Sequence, residues 1–468
     1  MRSTLLALGV QVLPSHKRRN RHPVHCIRID KDGFVYVCDR INNRLQIFRK
    51  DGSFVAEQVY EKANARHRLG LRSRILARQG AEIHLYDRRH ERRGAHCTRI
   101  AIIGAGLGGV TSAAWLQREG FPVRVYEQAP SFERIGAGIH VSANVMKVLR
   151  RLGAEQRLSQ IGIHPDIFTS RKWDTGDVLF ELPLGDTGER KYGASYITVH
   201  RHDLHAAILE KVEPGTIAFG RRLADVKQGG YVVHMSFADG SEAQADVVIG
   251  ADGVNSKLRE AVVGPSQSRF SGAVAHRAIY PSTLLGGMQV RNCTKWWGPN
   301  SHILIYYIEQ SRDEIYFVTS AKGDWHSQAS WEFCPREEVV NAFAGFHPEV
   351  RTVIETAPQL TKWPILDIEP LDTWSKGRLV LLGDACHAMM PYMASGAAMA
   401  MEDAAVLARC LVQADDHAAA FALYQTSRTS RVAKVQRISA ENSFLRHPTD
   451  PTWVFGYDAV TVPLGPQQ

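Results

Sequence analysis

One unit of sequence constrains this chain more than any other. A strand-like apolar run, Ile100-Ala-Ile-Ile103, passes directly into Gly104-Ala-Gly-Leu-Gly-Gly109, and a helical run follows from Val110 to Glu119. After a Gly-Phe-Pro turn comes a second strand, Val123 to Tyr126, ending at Glu127. Uninterrupted apolar strands of this length predict a sheet covered on both faces, and the order strand, glycine loop, helix, strand predicts a β-α-β unit of the dinucleotide-binding kind. A bare G-x-G-x-x-G arises often by chance; here it stands between a strand and a helix, where each glycine has a use. Gly104, Gly106 and Gly109 permit the tight turn and a close backbone approach to a pyrophosphate, whose charge then rests on the helix N-terminus. Glu127, 23 positions after Gly104, is placed to accept hydrogen bonds from ribose hydroxyls. Gly108 and Gln128 flank these positions and belong with the expected cofactor contacts.

That motif alone does not separate a flavin from a nicotinamide dinucleotide, and two later segments make the distinction. Asp246-Val-Val-Ile-Gly-Ala-Asp-Gly253 is a buried strand running into a turn that presents Asp252 and Gly253, followed by Ser256 and Arg259. Gly377-Arg-Leu-Val-Leu-Leu-Gly-Asp384-Ala-Cys-His387 is another, leading through Pro391 into an alanine-rich helix from Gly396 to about Cys410. Asp384 can hold a ribityl hydroxyl, while the N–H groups at Gly396 and Ala397 direct positive potential at whatever lies above the helix start. An isoalloxazine ring that becomes anionic on reduction suits such a place.

These three motifs in this order resemble the class A flavoprotein aromatic monooxygenases, the family of p-hydroxybenzoate and salicylate hydroxylases, from about Arg99 to about Asp458. Arg134 and His140 in Arg134-Ile-Gly-Ala-Gly-Ile-His140, and Arg201 in His200-Arg-His-Asp-Leu204, match residues that the family sets against FAD. The resemblance implies an α/β protein: an FAD-binding dinucleotide fold over residues 99–164, 196–268 and 366–430, an inserted mixed β-sheet substrate domain over 165–195 and 269–365, and a C-terminal segment, 431–468. It also implies FAD as cofactor, NADH or NADPH as co-substrate, O2, and a small hydroxylated aromatic or N-heteroaromatic acid as substrate.

Further stretches resemble the hydroxynicotinate-hydroxylating branch of that family: Gly138 to Met146, Tyr192 to Arg201, Lys295-Trp-Trp297, His302 to Tyr307, Tyr316 to Thr319 and Asp450 to Asp458. By that likeness His140 and Tyr306 match acid–base residues, and Cys293, His302 and Val318 match residues of the substrate pocket. Tyr392 stands where that branch has histidine, Ala388 where many relatives have proline, and Ser395 where glutamine is common. A tyrosine can hydrogen-bond a hydroxyl or ring nitrogen but is not a cation near neutral pH, which keeps salicylate or another hydroxybenzoate as the alternative substrate. The residues themselves support part of this. His302 to Tyr307 alternates as a strand does, so His302, Leu304 and Tyr306 share a face, and after the Gln310–Glu314 turn Tyr316 and Val318 share another. The plainer alternative for His302 and Tyr306 is ordinary hydrogen-bonded sheet residues. His140, with an ordinary pKa of about 6.5, suits removal of a hydroxyl proton, and Tyr306 suits relaying or orienting it.

Residues 1–98 differ in character. Cys26 to Asp30, Gly33 to Asp39, Arg44 to Phe48 and Ser53 to Ala56 are short strand-like runs separated by Asp-Gly and Asn-Asn turns, resembling one blade of an NHL-type propeller over residues 22–57. One blade cannot close a ring, so a fusion remnant or misassigned start is expected rather than a working propeller. Residues 58–98 read as an arginine-rich linker or loosely ordered arm, making the whole a short β-rich or disordered extension. The formal charge of +9 lies here: residues 1–99 hold 22 Lys and Arg against 9 Asp and Glu, so residues 100–468 carry −4. No nucleic-acid partner is therefore expected of the body, although a binding protein that uses the basic arm, with an inactive flavin fold, is the alternative of another class. Seven scattered cysteines form neither a metal-ligand spacing nor a disulfide framework. With no apolar run of the roughly 20 residues a membrane helix needs, the reading is a cytoplasmic monomer or homodimer with no metal and no membrane contact.

Overall fold

The computed structural model describes residues 26–29, 34–39, 44–49, 53–59, 98–133 and 137–466, and divides into a unit within residues 1–86 and a larger one within 87–468. In the first, strands Cys26–Ile29, Phe34–Asp39, Arg44–Arg49 and Phe54–Val59 pair in sequence order as an antiparallel meander. The last strand runs to Val59, past the expected start of the arm at 58. The rest of the arginine-rich arm up to residue 97, and Arg134 of the family motif, lie outside the described residues.

The larger unit is built on a six-stranded sheet ordered Ile217–Ala218, Val123–Tyr126, Ile100–Ile103, Val247–Gly250, Leu379–Leu381, Ser375–Lys376, parallel except at the last pair. The three central strands come from the three motifs, and Ile100–Ile103 and Val247–Gly250 are buried throughout because helices cover both faces. The helix of the first motif spans Leu107–Arg118, starting a turn before the expected Val110, since the Gly106 carbonyl already accepts the Val110 N–H at 3.0 Å. Hidden in a glycine-rich stretch, that first turn carries no periodic apolar signal.

The second large sheet has eight strands, ordered Glu332–Cys334, Leu360–Asp367, Arg269–Pro281, Glu314–Lys322, His302–Tyr307, Thr294–Trp297, Ile167–Lys172, Val178–Pro183. Only the Thr294–Trp297 and Ile167–Lys172 pair is parallel. The period of two divides its residues. Ile303, Ile305, Ile315 and Phe317 pack with Val350 and Ile354 of helix Pro348–Thr356, while Leu304, Tyr306, Tyr316 and Val318 form a separate cluster on the opposite face. The register Leu304 to Val318 and Tyr306 to Tyr316 fixes those neighbours.

Two antiparallel C-terminal helices, Gly396–Gln413 and His417–Glu441, join the parts. The second runs straight through residue 430, where the sequence reading ends the FAD-binding segments, so the C-terminal segment shares an element with that domain. The reason is a buried ionic network. Arg428 bonds Asp403 (2.7 Å) and Glu402 (2.8 Å), and Arg431 holds both oxygens of Glu402 at 2.8 Å. Glu402, Asp403 and Arg428 have no solvent exposure. Asp403 also accepts from the Gly383 N–H (3.1 Å) and contacts His387 Nε2 (2.5 Å), and its carboxyl is held down to about 2 by His387 and Arg428 against the opposing effect of burial.

Removing one partner of such a pair strands a buried charge, which costs roughly 3–5 kcal/mol. Arg428→Met is expected to destabilise the larger unit on that scale in urea unfolding at neutral pH; a loss below about 1 kcal/mol would show that the network does not hold these elements together.

Candidate active site

Two adjoining spaces are lined by the residues singled out from the sequence. The first is a cleft at the glycine loop. Gly104 has φ +97°, and a Cβ there would strike the Ala251 carbonyl oxygen; a Cβ on Gly109 would strike the Gly104 carbonyl; one on Gly108 would lie 2.8 Å from Leu382 Cδ2. Protein packing accounts for those three. A Cβ on Gly106 would meet no protein atom within 4 Å, so its bareness keeps an open approach to the backbone at the helix start. Glu127 is anchored by the N–H groups of Ala105 (2.7 Å) and Ala129 (2.8 Å), leaving further lone pairs for a ligand, and Gln128 is exposed beside it.

Arg201 opens helix Arg201–Leu209 and is exposed, as is Asp384, which follows Gly383 at φ +60°. A Cβ on Gly396 would lie 3.7 Å from Asp384 Oδ1, so the acidic turn and the start of helix Gly396–Gln413, with Ala397, face one space. Asp252 is differently employed: its carboxylate accepts from Ser256 Oγ (2.6 Å), Lys257 N (2.8 Å) and Leu258 N (3.1 Å), securing helix Lys257–Val263, while Gly253 at φ +79° turns the chain. Arg259, buried beneath, donates to Val254 O (2.7 Å) and Ala385 O (3.2 Å) and thereby ties the second motif to the third. These residues offer a loop left bare at Gly106, a ribose acceptor and an acid beside a helix N-terminus, a set that fits a flavin dinucleotide.

The second space is a cavity between the eight-stranded sheet and the C-terminal segment. His140, Tyr196, Lys295, His302, Ser320 and Tyr392 give it polar walls, and Phe444, Leu445 and Phe455 close it. Leu304 and Val318 floor it, as their shared face requires. His140 comes from strand Gly138–Val141; its Nδ1 lies 2.7 Å from Tyr196 Oη, and its Nε2 is buried with no partner. His302 Nδ1 lies 3.3 Å from Asn442 Nδ2, and Tyr392 Oη accepts from Ser320 Oγ at 3.1 Å.

Three expectations change here. The His140 imidazole does not keep its ordinary pKa: burial, then the charge of Lys295, pushes it down to about 3, so it is neutral near pH 7. Its hydrogen-bond partner is Tyr196 rather than Tyr306, which meets the imidazole edge-on at 4.3 Å between centroids. Gly138 permits that packing, since a Cβ there would lie 2.7 Å from the Tyr306 ring. Cys293, at φ +58°, is fully buried behind His140, its Sγ 4.0 Å from Nδ1, rather than on the cavity wall, and burial pushes its thiol pKa up. His276, Cys334 and Glu338, far apart in sequence, converge on the far side of the sheet, but Lys362 Nζ sits 2.8 Å from Glu338 and already supplies the positive charge.

Tyr196 and Lys295 were assigned no role from sequence. The usable signal was Lys295 itself, a lysine within a strand whose four residues are all buried. Burial lowers its pKa to about 7.

The chain matches the FAD-binding-domain family model over residues 97–441. It is 51% identical over 371 residues to 6-hydroxynicotinate 3-monooxygenase of Pseudomonas fluorescens, covering 78% of this chain and 96% of that protein. The enzyme of the same name from Bordetella bronchiseptica is 50% identical over 78% of this chain and 97% of its own. Among solved structures, Klebsiella pneumoniae HpxO complexed with FAD and uric acid superposes with a TM-score of 0.67 at 26% identity, covering 77% of this chain and 91% of that one. Among the described residues no helix is long and apolar enough to cross a membrane.

The glycine geometry separates packing from ligand binding. Gly106→Ala should leave the thermal midpoint of the FAD-free protein unchanged yet weaken FAD binding by about tenfold or more, equivalent to about 1.4 kcal/mol, in a fluorescence titration. Unchanged FAD affinity would place the dinucleotide elsewhere.

Proposed function

The chain belongs to the FAD-dependent aromatic monooxygenases, and on that premise we propose that its substrate is 6-hydroxynicotinate, hydroxylated at C3 with loss of the carboxylate to give 2,5-dihydroxypyridine at the expense of NADH or NADPH. Identity of about one half to two enzymes of that activity supports the substrate. The site observation that carries the reading is His140 Nε2: a buried, partnerless imidazole nitrogen at the wall of the cavity. We further take the enzyme to act in the cytoplasm as a monomer or homodimer.

The chemistry that FAD supplies when bound is activation of O2 after reduction by the nicotinamide donor. Gly106, Glu127, Arg201, Asp384, Gly396 and Ala397 would hold it. The protein's part is to fix the ring and manage one proton. An electron-rich ring carbon is needed, and a ring hydroxyl supplies it best once its proton is shared or removed. Neutral His140 has a free nitrogen for that hydrogen bond, while Tyr196, kept protonated by a pKa raised through burial, fixes the imidazole from its other nitrogen. Tyr306, also kept protonated by burial, buttresses the ring. Phe444, Leu445 and Phe455 exclude water from above.

His140→Ala should leave an FAD-bound, folded protein whose product formation falls by roughly two or more orders of magnitude. The assay is NADH oxidation by FAD-loaded enzyme with 6-hydroxynicotinate, salicylate and 3- and 4-hydroxybenzoate, the product being identified by mass after turnover in labelled O2. Full turnover by the variant would remove His140 from the chemistry; a hydroxybenzoate outperforming 6-hydroxynicotinate would overturn the substrate assignment and leave the class intact.

A further inference from the structure

Lys295 lies in strand Thr294–Trp297, which has a neighbouring strand on each side, opposite Leu304 on one and Ser170 on the other. It is 4% exposed and lines the cavity. An ammonium group can donate three hydrogen bonds. Nζ has one, to the carbonyl of Tyr392 at 3.2 Å, and otherwise rests 3.8 Å from the centroid of the Trp297 ring. The titratable groups around it are His140 from strand Gly138–Val141, Tyr196, His302 from strand His302–Tyr307, and Tyr392, with Arg446 on the Trp297 ring at 5.8 Å from its centroid. Burial keeps both histidines neutral and Tyr196 protonated. Among the described residues no carboxylate pairs with Lys295, so the protein holds a buried cation at the cavity wall without its counter-charge.

A buried ammonium without a counter-ion is costly, and the cost is relieved when an anion enters the same low-dielectric space. We propose that Lys295 is the carboxylate anchor of the substrate site, a positioning residue that receives the acid group of the aromatic substrate and so sets which end of the ring faces His140. The assignment rests on the reading above only in requiring an aromatic carboxylate; 6-hydroxynicotinate and the hydroxybenzoates share one. His302, kept neutral by burial, provides no charge for this task.

The pH dependence has a definite sign. With the free Lys295 near 7, binding of an anion that needs the charged lysine takes up a proton above that pH, so affinity should fall about tenfold per pH unit until the raised pKa of the bound state is reached. An arginine in its place stays charged, and the slope should vanish.

The test uses FAD-loaded enzyme and reads ligand affinity from the flavin absorbance change for 6-hydroxynicotinate and its uncharged relative 6-hydroxynicotinamide. Lys295→Met should weaken the acid by about 30-fold or more while moving the amide less than about twofold. Lys295→Arg should retain acid binding and lose the pH slope of the wild type. Equal weakening of acid and amide by Lys295→Met, or a wild-type affinity for the acid that is flat from about pH 7 to 9, would overturn the assignment. Should the methionine variant fail to take up FAD, the pH comparison of wild type with Lys295→Arg still decides. If the wild type binds salicylate and not 6-hydroxynicotinate, the proposed substrate falls, and salicylate against salicylamide tests Lys295 in the same way.

Discussion

Two adjacent acids on one buried helix hold both spaces of the site in place. Glu402 and Asp403 are consecutive, so their side chains leave the helix Gly396–Gln413 about 100° apart and reach different partners. Asp403 turns toward the Gly383 N–H and His387 and so fixes the turn that presents Asp384. Glu402 turns the other way, accepts from Asn144 Nδ2 at 2.7 Å, and through Ser142, whose hydroxyl donates to Asn144, reaches the strand end that carries His140. Arg428 and Arg431 compensate both acids from the next helix, and Arg431 also donates to the carbonyls of Trp453 and Val454, next to Phe455 in the cavity roof. Such a network is poor value as pure stability, since buried ions are expensive to desolvate. Its geometric demands are strict, however, and they bind the cofactor turn, the histidine strand and the roof into one rigid arrangement, as a site with small tolerances requires.

The substrate sheet solves a different problem. A sheet presents alternate residues to opposite faces, so one strand pair can build a core and a binding wall at once. Ile303, Ile305, Ile315 and Phe317 are spent on the helix-covered core, which frees His302, Leu304 and Val318 to line the cavity. The same constraint places Lys295 opposite Leu304, on the ligand side of a strand whose other residues are buried.

Legibility from sequence followed the range of the physics involved. The three central strands of the six-stranded sheet were readable because each is a short apolar run ending in glycines with a local function, and His302 to Tyr307 because period two needs only its own residues. Helix Leu107–Arg118 was read a turn short because its first turn is the glycine loop itself. The C-terminal boundary was misplaced because the tie between Arg431 and Glu402 spans 29 residues and leaves no periodic mark. The partner of His140 was not legible for the same reason: Tyr196 and Tyr306 are equally tyrosines in sequence, and only the packing of Tyr306 against bare Gly138 decides which of them presents its hydroxyl to the imidazole. Lys295 was visible, but as a member of a family-like string rather than as an electrostatic anomaly.

Two of the perturbed groups of the cavity also act on one another. His140 is depressed first by burial and second by the positive charge of Lys295. An anion seated on Lys295 cancels the second influence and leaves the first, so the imidazole becomes a better base at the moment an acid-bearing ring arrives. A neutral ring would leave the Lys295 charge, and its effect on His140, in place. Selection for a hydroxylated aromatic acid then lies less in the shape of an apolar pocket, which discriminates poorly between rings of like size, than in the coupling of a buried cation to a buried neutral imidazole.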